Sequence, residues 1–181
     1  MATTQNLPSL QQRLLPQLAE LGSSAHVSGI WPLETYYLGA IRFTIQDVVA
    51  YDLHLSNTGG GILLSGTVSA DVQTECARCL EPAQLTIEAE VEGYYLINPS
   101  YEELDLADDE FVLVDDSGEV DLAPALLAAI IFETPQVVLC DQECRGLCPS
   151  CGVNLNEQQC DCRQEVSPGN PFSVLKDLDI G

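Results

Sequence analysis

Val48-Val49-Ala50-Tyr51-Asp52-Leu53-His54-Leu55, followed by Ser56-Asn57-Thr58-Gly59-Gly60-Gly61 and then by Ile62 to Val72, is the stretch that decides the fold. Its outer pieces are rich in residues suited to a pleated, half-buried surface, and its middle is a cluster of turn formers ending in three glycines. This predicts an antiparallel hairpin. The second strand leads to Cys76-Ala77-Arg78-Cys79, and a third is predicted from about Leu85 to Ile97, where Ile87, Ala89, Val91 and Gly93 alternate with Glu88, Glu90 and Glu92. One face of that strand is apolar and the other acidic. The Cys76–Cys79 pair then falls at the tip between two strands, where a tight turn turns backbone N–H groups toward the sulfurs.

Upstream, Leu7, Leu10, Leu14, Leu15, Leu18 and Leu21 recur at three- and four-residue spacings, which predicts an amphipathic helix kinked or split at Pro16 and ended near Gly22. Such a stripe covers a core more often than it binds a partner. Met1 to Gly22 has no basic leading region and no unbroken apolar run, so it reads as neither a secretory signal nor a membrane span. A cytoplasmic chain with no membrane partner is expected.

Downstream, an acidic stretch from Asn98 to Asp121 is broken by Phe111-Val112-Leu113-Val114, read as one short strand in a solvated loop. Asp121 is expected to cap an apolar helix over Leu122 to Phe132, with Pro124 in its first turn. Gln136 to Leu139 reads as a strand delivering Cys140. A linker over Ser167-Pro168-Gly169-Asn170-Pro171 and two helical turns over Phe172 to Leu178 would close the chain. The fold class is α+β, an antiparallel sheet or partly open barrel with packing helices and a cysteine-rich, zinc-binding tail. The divisions are 1–24, an N-terminal helical segment; 25–144, the α+β core carrying the first cysteine pair; 145–166, the zinc-knuckle tail; and 167–181, the linker and short helix.

The eight cysteines lie as one pair in the middle and six near the end, and clustered thiols in a reducing compartment point to metal before disulfide. Six cannot all bind one tetrahedral ion, and two cannot close a site. The simplest partition assigns Cys76, Cys79, Cys140 and Cys144 to one ion, and Cys148, Cys151, Cys160 and Cys162 to a second. Two structural zinc ions are expected. The first would close a loop of roughly sixty residues, and the second would fold a segment too short to have its own core. An iron–sulfur cluster uses the same four thiolates and stays as a second reading; redox use of either pair lacks a thioredoxin-like context.

Catalysis finds little support. His26 and His54, the two histidines, read as isolated surface or strand residues, and four thiolates leave a zinc ion no open position for substrate. The sequence contains no phosphate-binding or dinucleotide fingerprint. The formal net charge of −22 comes from 28 acidic against six basic groups, and from Cys79 to Cys144 there is no Lys or Arg against seventeen Asp and Glu. Such a surface repels polyanions.

Several segments together resemble the YceD-like large ribosomal RNA subunit accumulation proteins of bacteria and plastids. They are Glu75-Cys76-Ala77-Arg78-Cys79-Leu80-Glu81-Pro82, Gly118-Glu119-Val120-Asp121-Leu122, Pro135, Cys140 with Cys144, and above all Cys144-Arg145-Gly146-Leu147-Cys148-Pro149-Ser150-Cys151-Gly152-Val153-Asn154-Leu155-Asn156. Asn170-Pro171-Phe172 through Leu178 is similar to the family's closing segment. The resemblance implies a non-enzymatic role in the synthesis, processing or stability of large-subunit (23S) ribosomal RNA. In that family the first pair and the Cys140/Cys144 pair recur widely while the Cys148–Gly152 block marks a subset, which favours two sites. Two mechanisms follow from the resemblance: an acidic adaptor for a basic ribosomal protein or an RNA-processing factor, or direct RNA binding through Arg78, Arg145 and Arg163. Charge disfavours the second.

Overall fold

The structure, a computed structural model, describes residues 7–13, 16–97, 112–114 and 118–162. Its frame is an antiparallel sheet. Strand β1 (Gln11–Arg13) and a 3-10 turn (Pro16–Ala19) lead into β2 (Ser24–Trp31), β3 (Thr35–Leu38), β4 (Ile41–Asn57), β5 (Gly61–Glu75) and β6 (Pro82–Leu96). After these come β7 (Val112–Leu113), β8 (Glu119–Asp121) and helix α1 (Ala123–Glu133). The main sheet runs β2-β4-β5-β6-β7 with β3 also on β4, and β1 pairs with β8 in a separate two-stranded ribbon. Of the two architectures expected, the open sheet is the one formed among the described residues, and one helix packs on it where several were expected.

The predicted hairpin is present and longer than the apolar runs that announced it. β4 and β5 pair from Thr44↔Gln73 to Asn57↔Ile62, and β5 and β6 pair without interruption from Gly61↔Leu96 to Glu75↔Pro82. Alternation sorts the faces. Leu53, Leu55, Leu64, Val68, Val72, Ile87 and Val91 are buried, whereas Glu88, Glu90 and Glu92 are exposed on the opposite face. The N-cap Leu122, with Leu126 and Ile130 at four-residue spacings along α1, buries the helix against β6 and β5. Beside them Tyr36 and Phe43 stack at 5.0 Å, and the Tyr36 hydroxyl meets the Thr134 hydroxyl at 2.9 Å. Within β4 the register shifts between Ile45 and Val49, so that three residues face one on β5.

Four expectations need correction. Among the described residues the leucine stripe over Leu7 to Leu21 forms no amphipathic α-helix. Its described parts are an extended segment and the 3-10 turn, because Leu10 and Pro8 are claimed by tertiary hydrogen bonds: the Leu10 amide donates to the Asp121 carboxylate at 2.9 Å and the Trp31 indole donates to the Pro8 carbonyl at 2.7 Å. Asp121 is not the N-cap of α1; that position is Leu122, which makes no side-chain cap bond. Asp121 instead accepts from the Ala123 amide at 3.0 Å while anchoring Leu10 and Ser9. Gln136 to Leu139 joins no ladder, although the Val138 carbonyl accepts the Ala77 amide at 2.8 Å. His26 and His54 are not isolated, since the β2–β4 register sets them directly opposite each other. The short strand expected within Phe111–Val114 is β7, paired in parallel with the end of β6. The acidic residues of 98–111, Arg163, the linker and the closing helical turns lie outside the described residues.

Candidate metal centres

The two cysteine pairs fold by one local rule. At the first, the Cys76 amide donates to the Glu81 carbonyl at 2.8 Å and the Leu80 amide returns to the Cys76 carbonyl at 3.0 Å. At the second, the Cys148 amide donates to the Val153 carbonyl at 2.8 Å and the Gly152 amide returns to the Cys148 carbonyl at 2.8 Å. The residue after each pair takes a left-handed backbone, Leu80 at φ 64° and Gly152 at φ 75°. These are two copies of the same knuckle. Each turn brings amides toward its leading sulfur, as with the Arg78 amide, 3.5 Å from Cys76 Sγ.

The structure gathers all eight thiols in the predicted partition. Cys76, Cys79, Cys140 and Cys144 form one group and Cys148, Cys151, Cys160 and Cys162 the other, with the sulfurs of each group within 4.8 Å of one another. Cys76 and Cys144 sulfurs are 3.8 Å apart and those of Cys79 and Cys140 3.5 Å. A zinc–sulfur bond of about 2.3 Å places the corners of a tetrahedron about 3.8 Å apart. Both quartets could therefore hold a tetrahedral ion with small adjustments. Cys76, Cys79 and Cys144 are buried and Cys140 is exposed, so the first quartet reaches the surface on the Cys140 side.

Electrostatics points the same way. Burial opposes ionisation of Cys76, but amide hydrogen bonds from Cys140, Cys79 and Arg78 outweigh it and bring the thiol down to about 6. Hydrogen bonds from the Cys151 and Ser150 amides bring Cys148 to about 6 as well. Their neighbours then resist: Cys140, beside Cys79 and Cys144, is pushed up to about 12, and Cys162, beside Cys151, is pushed up to about 12. Four thiolates this close cannot share a site without a cation to neutralise them. The donor set suits zinc, and it suits an iron–sulfur cluster by the same count.

Contacts tie the two quartets into one unit. The Asn156 side chain donates to Cys144 Sγ at 3.3 Å and accepts the Arg145 amide at 2.7 Å, so a tail residue orients a ligand of the first group. Leu155 donates to the Gly146 carbonyl at 2.9 Å and Leu147 to the Arg78 carbonyl at 3.1 Å. The sequence offered Asn156 only as part of the run ending Asn154-Leu155-Asn156. Its role depends on a fold that brings residue 156 back to residue 144. Of the three arginines proposed for RNA, Arg78 and Arg145 are both exposed, and Arg78 donates from one guanidinium nitrogen to the Cys144 carbonyl at 2.8 Å.

The motif, the hairpin carrying its first half and the helix between them are now joined by a direct comparison. The profile described as "Large ribosomal RNA subunit accumulation protein YceD" matches residues 64–179, well over half of the chain. The chain belongs to the YceD family. It is 31% identical over 117 residues to an uncharacterized protein of Mycobacterium tuberculosis, covering 65% of this chain and 56% of that protein. It is 31% identical over 124 residues to the large ribosomal RNA subunit accumulation protein YceD of Haemophilus influenzae, covering 65% of each. A YceD homolog from the chloroplast of Arabidopsis thaliana is 34% identical over 61 residues, 33% of this chain and 19% of that protein. The matched part thus spans little more than half the length of the mycobacterial relatives. No solved structure matches. The YceD family is named for accumulation of an RNA and not for a reaction. Among the described residues no helix is long and apolar enough to cross a membrane.

Proposed function

We propose that this chain supports the synthesis, processing or stability of large-subunit (23S) ribosomal RNA without catalysing a reaction, as an acidic adaptor held in shape by two structural zinc ions. Its direct partner is a basic ribosomal protein or a basic RNA-processing protein, and its place is the cytoplasm. Family membership supports the connection to large-subunit RNA. The adaptor mechanism rests on one observation: a net charge of −22, with Glu88, Glu90 and Glu92 exposed along one face of β6. A surface of this sign attracts cationic proteins and repels RNA phosphates.

Direct RNA binding is disfavoured by the same charge. Zinc contributes structure in this reading, because each quartet supplies a closed set of four sulfurs and leaves no position for a substrate.

Depletion of the protein in cells is expected to lower mature large-subunit RNA relative to small-subunit RNA, and an unchanged ratio would remove the role. With purified components, fragments of naked large-subunit RNA should not shift at low salt, while basic ribosomal proteins should bind with an affinity that falls as salt rises. A salt-dependent RNA shift in the absence of any such protein would overturn the adaptor mechanism in favour of direct binding.

A further inference from the structure

The chain contains two histidines, and the fold places both at one spot. His26 on β2 lies directly opposite His54 on β4, with ring centroids 4.8 Å apart. Asp52 shares the face of His54 two residues earlier, and its Oδ1 lies 2.9 Å from His26 Nε2. One donor atom from each of the three lies within 4.8 Å of the other two. The geometry points to a third metal site, on the outer face of the sheet, that takes a divalent first-row transition ion through two imidazoles and one carboxylate.

The chemistry differs from that of the cysteine quartets. Imidazole nitrogen with one carboxylate oxygen is a borderline donor set, suited to zinc, nickel or copper and poorly suited to magnesium or calcium, which take oxygen ligands. For a metal–ligand bond of about 2.1 Å, ligands are about 3.4 Å apart around a tetrahedral ion such as zinc and about 3.0 Å apart where they meet at right angles, as around copper or nickel. The 2.9 Å between His26 Nε2 and Asp52 Oδ1 matches the right-angle edge and reaches the tetrahedral one with about 0.5 Å of side-chain movement. An isolated His–Asp hydrogen bond would account for this pair alone, and the β2–β4 register adds a second imidazole at the same spot. His26 and Asp52 side chains are 50% and 57% exposed, so an ion there keeps water in its remaining positions and exchanges freely.

The scaffold is stiff enough to hold three donors. The β2–β4 ladder runs unbroken from Ser24↔Ser56 to Trp31↔Val49, and β4 is paired on its other side with β5 through Asp52↔Thr67 and His54↔Ser65. Asp52 and His54 thus sit on a strand paired on both sides, and His26 on an edge strand held by β4; strands position side chains more firmly than loops do. The cross-strand neighbours Ser28, Ser65 and Thr67 are small, which leaves room above the site.

The test uses untagged full-length protein, purified without chelator, in which the two histidines give two resolvable sets of imidazole resonances. Zinc chloride is titrated while both sets are followed by NMR, with magnesium chloride in a parallel titration. Because the readout is specific to two imidazoles, it is independent of what the cysteines hold and of the proposed role in RNA accumulation. Expected are concerted shifts of His26 and His54 with a single micromolar dissociation constant, and none with magnesium. His26→Ala should weaken the response of His54 about a hundredfold, the loss of one chelating arm, and Asp52→Asn about tenfold. Amide spectra check that the exposed substitutions leave the fold intact. Unmoved imidazoles at millimolar zinc, or an unchanged His54 affinity in H26A, would overturn the site; an unchanged affinity in D52N would overturn the three-donor assignment.

Discussion

Arg78 donates from Nη1 to the carbonyl oxygen of Cys144 at 2.8 Å, so the residue inside the first knuckle grips the segment that returns to complete its quartet. Gly146 packs into this grip. Its φ is +73°, and a Cβ there would lie 3.0 Å from the Arg78 carbonyl oxygen and 3.3 Å from the Arg78 Cβ. Gly146→Ala is therefore expected to cost roughly 1–3 kcal/mol, from left-handed strain and the crowded contact together. Urea unfolding measures the cost, and the variant should also release metal to a competing chelator faster than the parent.

The partition of the cysteines predicts an asymmetric response. Protein purified without added metal should contain about two zinc ions per chain, and less than one would end the zinc reading. Cys79→Ser and Cys160→Ser should each remove one ion. Cys79→Ser should lower the melting temperature of the sheet the more, because the first quartet clips residues far apart in sequence, a constraint worth about 4 kcal/mol by loop-closure entropy. Cys160→Ser should open residues 145–162 to protease and lower the sheet's melting temperature less, through loss of the Asn156 bond to Cys144. A sheet that melts as early in the Cys160 variant as in the Cys79 variant would mean the quartets are mixed.

Leu80 occupies the position in the first knuckle that Gly152 occupies in the second. It holds φ 64° with its side chain 59% exposed, so it carries left-handed strain without the compensation of burial. Leu80→Gly is expected to stabilise the protein by up to about 1 kcal/mol, relief of the Cβ clash being partly offset by glycine's greater freedom when unfolded. Thermal melting of the zinc-loaded protein decides it, and a fall of similar size would show that the Leu80 side chain makes a contact worth more than the strain.

Alkaline stability should depend on Tyr95. Burial, with the nearby Asp121 charge adding to it, pushes this phenol up to about 12, whereas in the unfolded chain it ionises near 10. Below pH 10 both states keep the proton and stability does not depend on this group. As pH rises from 10 to 12 the unfolded state loses the proton first, so stability falls by roughly 2–3 kcal/mol. Tyr95→Phe should show a shallower decline over that window in denaturant titrations, from a baseline lowered by loss of the hydrogen bond to the Asp121 carbonyl. Identical slopes would show that Tyr95 titrates normally in the folded protein.

The sheet and the quartets were legible because their signals are local. Alternation of Ile87, Ala89 and Val91 with Glu88, Glu90 and Glu92 is visible within one strand, and Cys76/Cys79 and Cys148/Cys151 each sit in a single turn. The leucine stripe at the N-terminus misled because a helical spacing says nothing of distant partners. Asp121 and Trp31 claim the backbone of Leu10 and Pro8, and no window of sequence contains both ends of those bonds. Asn156 was hidden for the same reason. The histidines look isolated in sequence because they stand 28 positions apart, and only the β2–β4 register brings them face to face. Gln136 to Leu139 has the composition of a strand but finds no ladder to join, apart from one bond to Ala77.

The irregularity in β4 has a consequence for parity. Gln46, Asp47 and Val48 face the single residue Asp71, an excess of two, and an even excess leaves the inward and outward positions of the strand in phase on both sides of it. Phe43 before the irregularity and Val49, Leu53 and Leu55 after it consequently all point into the core. Removing two of those three residues would straighten the strand and keep every later side chain on its own side. Removing one would leave two residues facing Asp71, a single-residue bulge that the ladder absorbs while Leu53 and Leu55 stay inside and Asp52 and His54 outside. The length of this segment therefore sets how sharply β4 bends, and leaves both the core and the outer histidine face on their own sides of the sheet.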